Sequence, residues 1–219
     1  MSRQQALELD AADPLARFRD RFHLLANKIY MDGNSLGLMP KDAETAILAA
    51  IDQWKTLGID GWMFSDPGWF TLGERLGELM APLVGAEADE VVATGTTTVN
   101  QHNLVSTFYA AEGDRRKIVA TELDFPSDIY ALQSQILLKG GDPSRDLIEV
   151  PSRDGRTIDE ADIIAAMTDE VAIVLLPSVL YRSGQLFDIE RIAICRHGKA
   201  SLAISRPLVH DLEHADGVE

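Results

Sequence analysis

The chain has 219 residues and a mass of 24.0 kDa, with 46% hydrophobic and 25% charged side chains. That composition excludes disordered, collagen-like and fibrous sequences, and the length suits one domain or slightly more. A formal charge of −15, from 20 basic against 35 acidic residues, disfavours nucleic acid and anionic membranes as partners, and a lone cysteine, Cys195, excludes disulfide and four-cysteine zinc frameworks.

The N-terminus, MSRQQALELDAADPLARFRDRF, is charged throughout and lacks the apolar core of a secretory signal. No window reaches the roughly 18 apolar residues of a membrane span, and the lone cysteine fits a reducing cytoplasm, which is the expected location. A first helix is expected from Pro14 to about Leu25, followed by a turn-rich segment, Tyr30–Gly37. Ala43, Ala46, Ile47, Ala50, Ile51, Trp54 and Leu57 recur at three- and four-residue spacing, which predicts a helix opened by Pro40, stopped near Gly58 and buried along one face. Ile59–Phe70 (IDGWMFSDPGWF) fits neither helical nor strand period and is too aromatic for a solvent loop. Leu72, Leu76, Leu79, Met80 and Leu83 mark another helix, closed by Gly85.

Beyond this point β-branched runs alternate with helical periods. Strands are expected at Glu90–Ala93, Lys117–Thr121, Leu147–Val150 and Val171–Leu176, with helices at Val99–Ala111, Ser127–Lys139 and Ile158–Met167, the last capped by Thr157 or Asp159. Strand–helix–strand alternation implies an α/β fold with a parallel sheet and crossover helices. After Ile194 only Ser201–Ser205 is apolar, and the end is polar.

There is no G-x-G-x-x-G, and Gly198-Lys199 lacks the flanking residues of a P-loop. The segment Thr94-Gly95-Thr96-Thr97-Thr98, between an expected strand and a helix, suits either a bound phosphate, through N–H groups, hydroxyls and the helix dipole, or simple helix capping. His210 and His214 share i,i+4 spacing with no third ligand indicated, and read as residues of a charged tail; metal is not expected. Cys195, in an expected helix, reads as a packing thiol, and no G-x-S-x-G elbow occurs.

Four segments carry a resemblance: Ile29–Pro40 (IYMDGNSLGLMP), Thr96–His102 (TTTVNQH), Phe125–Gln135 (FPSDIYALQSQ) and Val174–Asp188 (VLLPSVLYRSGQLFD). In order and spacing, over most of residues 15–193, they resemble kynureninase, a homodimeric pyridoxal 5'-phosphate enzyme of the aspartate aminotransferase fold type I that cleaves kynurenine to anthranilate and alanine. The resemblance implies that Thr97 and Thr98 hold the phosphate, that Phe125 stacks on the pyridine face and that Asp128 contacts the cofactor. It implies a substrate side formed by Asn34, Ser35 and, near the aryl ring, Trp62. Domains are expected at residues 1–70, a helical arm with substrate-side loops, and 71–219, part of the large cofactor-binding domain.

Departures from the family pattern also stand out. A hydroxyl residue that touches the cofactor falls at Pro177 here, with Ser178 one later. The Asp-Leu-x-His motif, whose aspartate bonds the pyridinium nitrogen, is matched about five residues late by Asp211-Leu212-Glu213-His214, or else that stretch matches the acidic segment following the motif. The Tyr-Lys pair that anchors the cofactor covalently has no counterpart: Lys28, Lys41, Lys55, Lys117, Lys139 and Lys199 all precede Asp211 and none follows a tyrosine. The expectation is therefore the N-terminal part of a kynureninase, inactive alone, partnered by a second copy or by a complementary C-terminal half. Two alternatives stay open: a cysteine desulfurase or aminotransferase relative, and a non-catalytic or split remnant.

Overall fold

The structure is a computed structural model that describes residues 2–33, residues 35–194 and the backbone of 201–205. It divides into two compact units, Met1–Leu72 and Gly73–Glu219.

In the first unit α1 spans Arg3–Ala12 and starts from a capping box, in which Gln5 N–H donates to Ser2 Oγ and Ser2 N–H to Gln5 Oε1. It stops at Asp13, which is extended as the residue before a proline should be. The helix expected over Pro14–Leu25 is not formed. The Asp13 carboxylate accepts the Leu15 N–H and a 3₁₀ helix follows over Ala16–Arg21. The chain is then extended, with an antiparallel bridge between Phe22 and Pro40.

Helix α2 (Lys41–Leu57) begins after Pro40, which serves as its N-cap, and ends at Gly58, whose φ of +55° favours glycine. Its apolar residues fall on one stripe, as the spacing predicts, yet none is buried. Ile47 is 54% and Trp54 70% exposed. Periodicity decides which side chains share a face, whereas burial needs a covering surface, and the described residues supply none. The aromatic segment folds as a 3₁₀ turn (Gly58–Asp60), a short helix α3 (Gly61–Phe64) and a second 3₁₀ turn (Trp69–Thr71). Trp62 and Trp69 meet edge to face at 6.4 Å, and a side chain at Gly61 would strike the Trp69 ring.

Helix α4 (Leu72–Val84) closes at Gly85. Behind it Ala88–Glu90 forms a 3₁₀ turn, Val91 is extended and Val91–Ala93 joins no strand, so the strand expected at Glu90–Ala93 is absent among the described residues. The segment packs its backbone on α4 instead: a Cβ at Gly77 would lie 1.9 Å from the Val91 carbonyl oxygen. Gly77→Ala is expected to destabilise the chain by about 1–3 kcal/mol through overpacking. Gly73→Ala, whose Cβ would meet nothing closer than 3.8 Å, serves as the control. Equal urea midpoints for the two variants would show that the Val91 approach is not a constraint.

The rest of the second unit is α5 (Thr97–Phe108), β1 (Lys117–Thr121), α6 (Pro126–Leu138), α7 (Pro143–Asp146), β2 (Leu147–Val150), α8 (Glu160–Ala166, capped by Asp159), β3 (Val171–Pro177), α9 (Ile189–Ile194) and β4 (Ser201–Ser205). All pairings are parallel, in the order β2-β1-β3-β4. The stretch 201–205, read from sequence only as an apolar remnant, is thus a strand in register with Ile173–Pro177.

Both faces of this sheet are covered, as parallel sheets require. Ile118, Ala120, Ile173 and Leu175 face Val105, Leu132 and Ile136 of α5 and α6. Val119, Val174 and Leu176 face the other way, toward Ile163 and Ile192 of α8 and α9. The alternation of neighbours along β3 is the period of two expressed on two apolar faces, which is why the strand reads as an unbroken apolar run. Among the described residues no helix is long and apolar enough to cross a membrane.

Candidate functional site

The chain leaves β1 toward β2 on one side and returns through β3 on the other, so the carboxyl ends of β1 and β3 flank a topological switch point, where open α/β sheets leave a crevice. Three pieces of chain meet there. Phe125 follows β1, and its ring packs edge to face on Tyr181, which follows β3, at 5.1 Å. Tyr181 is held in turn by Arg182, whose Nε donates to the Tyr181 hydroxyl at 2.8 Å. The third piece is α5. Its C-terminus is tied to the start of β1 by the Tyr109 hydroxyl, which donates to the Arg116 carbonyl at 2.6 Å. The opposite end, about 18 Å away for a helix of this length, therefore points toward the carboxyl edge.

The second turn of α5 is joined to α6 by Gln101, whose Nε2 donates to the Asp128 carbonyl at 3.0 Å. Further along, Gln135 and His102 pair at 2.9 Å. Two helix N-termini thus lie side by side at one edge of the sheet, and both present positive dipole ends. On α5 the cap is Thr96, whose hydroxyl accepts the Val99 N–H at 3.4 Å. Capping is therefore assigned to Thr96, and Thr97 and Thr98 occupy the first two helical positions, Thr97 exposed and Thr98 half-buried. On α6 Phe125 is the N-cap residue, partly open at 37% exposure, and Pro126 takes the first helical position. Asp128 stands in the first turn, buried, with its backbone N–H on the Phe125 carbonyl at 2.8 Å.

Ahead of Phe125 sits Asp124, buried, whose two carboxylate oxygens accept the Thr121 N–H at 3.0 Å and the Thr121 hydroxyl at 2.6 Å. Burial, with a smaller contribution from the charges of Asp128 and Glu149, raises its carboxyl to about 6 despite the lowering effect of those bonds. Gln101 Oε1 is buried without a hydrogen-bond partner among the described residues. Asp124, Gln101 and Tyr181 were not legible as site residues in the sequence, because burial and the meeting of three separated segments are tertiary facts. Thr96 had a signal, as a threonine directly ahead of a helical period.

Ser35 and Trp62 belong to the first unit, Ser35 in a turn where its N–H donates to the Asp32 carbonyl and Trp62 half exposed in α3. Pro177 ends β3 and Ser178 is the first residue past it. Asn34, Cys195, His210, Asp211 and His214 lie outside the described residues. No group of three metal-ligating side chains occurs among the described residues.

No protein-family model matches the chain. A kynureninase of Geobacillus thermodenitrificans is 58% identical over 197 residues, covering 90% of this chain and 46% of that protein. Kynureninases of Bacillus cereus and Shouchella clausii are 53% and 51% identical, each over about half of their own length. The chain spans about half the length of the curated relatives it matches. Among solved structures, a C-DES mutant with glycine covalently linked to the pyridoxal-phosphate cofactor superposes with a TM-score of 0.70 at 19% identity, over 86% of this chain and 49% of that one. The cysteine desulfurase CsdA of Escherichia coli gives 0.64 at 19% identity, over 88% and 48%. The resemblance to kynureninase therefore holds over nine-tenths of the chain, and the fold is the α/β fold type I of pyridoxal-phosphate enzymes.

Proposed function

We propose that this chain is the N-terminal portion of a pyridoxal 5'-phosphate-dependent kynureninase, which hydrolyses L-kynurenine or 3-hydroxykynurenine to anthranilate or 3-hydroxyanthranilate and L-alanine, in tryptophan catabolism. The observation that carries this reading is the identity of 51–58% to kynureninases along 90–96% of the chain. The cysteine-desulfurase alternative loses to it, since those structures share the fold at 19% identity only.

The residues at the switch point fit a flat, phosphate-bearing group. The α5 N-terminus offers backbone N–H groups with Thr97 and Thr98, neither of them the cap, and so suits the phosphate. Phe125, held by Tyr181 and still partly open, offers an apolar ring face. Asp128, buried in the first turn of α6 three residues past Phe125, is proposed to contact the cofactor. When bound, pyridoxal phosphate supplies an electron sink for breaking bonds at the substrate's α- and β-carbons. The protein's part is to fix the phosphate and ring, orient the substrate and keep competing water out. Asn34 and Ser35 are proposed to meet the substrate's carboxylate side, Trp62 its aryl ring, and Asp211 with His214 the pyridinium edge.

The partly open tryptophans and the uncovered α2 stripe support a homodimer or a complementary C-terminal half as partner, because exposed apolar area of this kind is normally covered. A cytoplasmic location follows the same reading. Thr98→Ala is expected to weaken pyridoxal-phosphate or inorganic-phosphate binding by about 1–2 kcal/mol, the loss of a charge-assisted hydrogen bond. Titration by absorbance and calorimetry tests this; an unchanged affinity for both ligands would remove Thr98 from the anion site.

A further inference from the structure

The turn between β1 and α6 is closed by one side chain. Asp124 N–H donates to the Thr121 carbonyl at 3.1 Å, while the Asp124 carboxylate takes back both the N–H and the hydroxyl of Thr121. The first and last residues of the turn are thus joined by three hydrogen bonds at the exit of the strand that leads to the switch point. Phe125 is the next residue, and Asp128 lies one helical turn on. Thr121 is fully buried and Asp124 nearly so, so water cannot replace these bonds cheaply.

We propose that Asp124 is a positioning residue: clasped to Thr121, it sets the angle at which Phe125 meets Tyr181 and at which α6 presents Asp128 to the ligand crevice. The effect on pyridoxal phosphate rests on the proposal that this crevice holds the cofactor, whereas the coupling of Asp124 to the Phe125 ring is a property of the chain itself. The ionised carboxylate accepts both Thr121 donors. Protonation takes up one of its acceptor positions and changes the charge beside Asp128. The charges that act on Asp124 among the described residues are Asp128 on α6 and Glu149 on β2, both acidic. Its titration near pH 6 places the change in an accessible range.

The test uses the full chain without ligand, with the rings of Phe125 and Tyr181 followed by NMR between pH 4.5 and 8, conditions chosen about that value. Both rings are expected to shift with a midpoint near 6. Asp124→Asn abolishes the step, and Thr121→Val, which removes one bond to the carboxylate, moves the midpoint upward. Rings that do not respond in the natural sequence, a step that persists in Asp124→Asn, or an unmoved midpoint in Thr121→Val would each overturn the proposal. If Asp124→Asn fails to fold, the Thr121→Val midpoint alone decides. At pH 7.5 pyridoxal phosphate should bind Asp124→Asn about tenfold more weakly, and equal affinity would refute the link to the crevice. Absence of pyridoxal-phosphate binding by the natural sequence would fail the cofactor reading, and the ring titration would still settle the clasp.

Discussion

Kynurenine incubated with the 219-residue chain and excess pyridoxal phosphate is expected to yield no anthranilate. The reaction needs an amine that holds the cofactor and carries protons at the substrate's α-carbon. In the second unit the described lysines are in the wrong place. Lys117 stands at the amino end of β1, with its Nζ on Glu170 at 2.7 Å. Lys139 caps the far end of α6, about 20 Å from the N-terminus that carries Phe125 and Asp128. In the first unit Lys41 is bonded to the Asp20 carbonyl at 2.8 Å. Phosphate and ring contacts cannot replace that amine, so the loss should be complete rather than partial. Adding the complementary C-terminal portion of a kynureninase should restore anthranilate fluorescence. Turnover by the chain alone would overturn the expectation, because one of its six lysines would then have to serve as the catalytic amine.

The largest effect on stability is expected from Asp146→Ala. Asp146 is buried under the amino end of the sheet, where its carboxylate accepts the Asp142 N–H at 2.9 Å and Arg145 Nε at 2.9 Å, with Arg116 Nε at 3.7 Å. The hydrogen bond from Arg145 holds its carboxyl below the ordinary carboxylate range, with help from the Asp142 N–H and the charges of Arg145 and Arg116. Removal leaves the Asp142 N–H without its acceptor and the half-buried Arg116 without its counter-charge, at a cost of about 3 kcal/mol. That corresponds to a melting temperature lower by roughly 6–12 °C in a chain of this size.

The pH dependence separates the two buried aspartates. Asp146 titrates lower in the folded than in the unfolded chain, so its contribution is present above an unfolded value near 3.8 and is lost as pH falls through the depressed folded value. Asp124 has the opposite sign. Its folded value of about 6 exceeds the unfolded 3.8, so stability declines as pH rises between the two. Urea midpoints measured at pH 7 and pH 3 should show the Asp146→Ala deficit narrowing in acid. A deficit of the same size at both values would mean that packing, and not the charge, is what Asp146 contributes.

What the sequence determined by itself is local and periodic. The runs at Lys117–Thr121, Leu147–Val150 and Val171–Leu176 become strands because each is short, apolar and bounded by turns, and five helices, α2, α4, α5, α6 and α8, lie where three- and four-residue spacing puts them. The kynureninase segments are likewise legible, since a motif is a property of residue order. Tertiary structure decided the rest. Glu90–Ala93 has strand-like residues but its backbone found α4 and Gly77, while Ser201–Ser205 became a strand because β3 offered an edge. The α2 stripe shows the same limit from the other side, for its spacing is right and its burial is missing. At the crevice, Thr97 and Thr98 are visible in the sequence as hydroxyls at a helix start. That Asp124 is buried, and that Tyr181 meets Phe125 across 56 positions of chain, follow only once β1 and β3 lie side by side, because chain reversal brings together residues that no local rule connects.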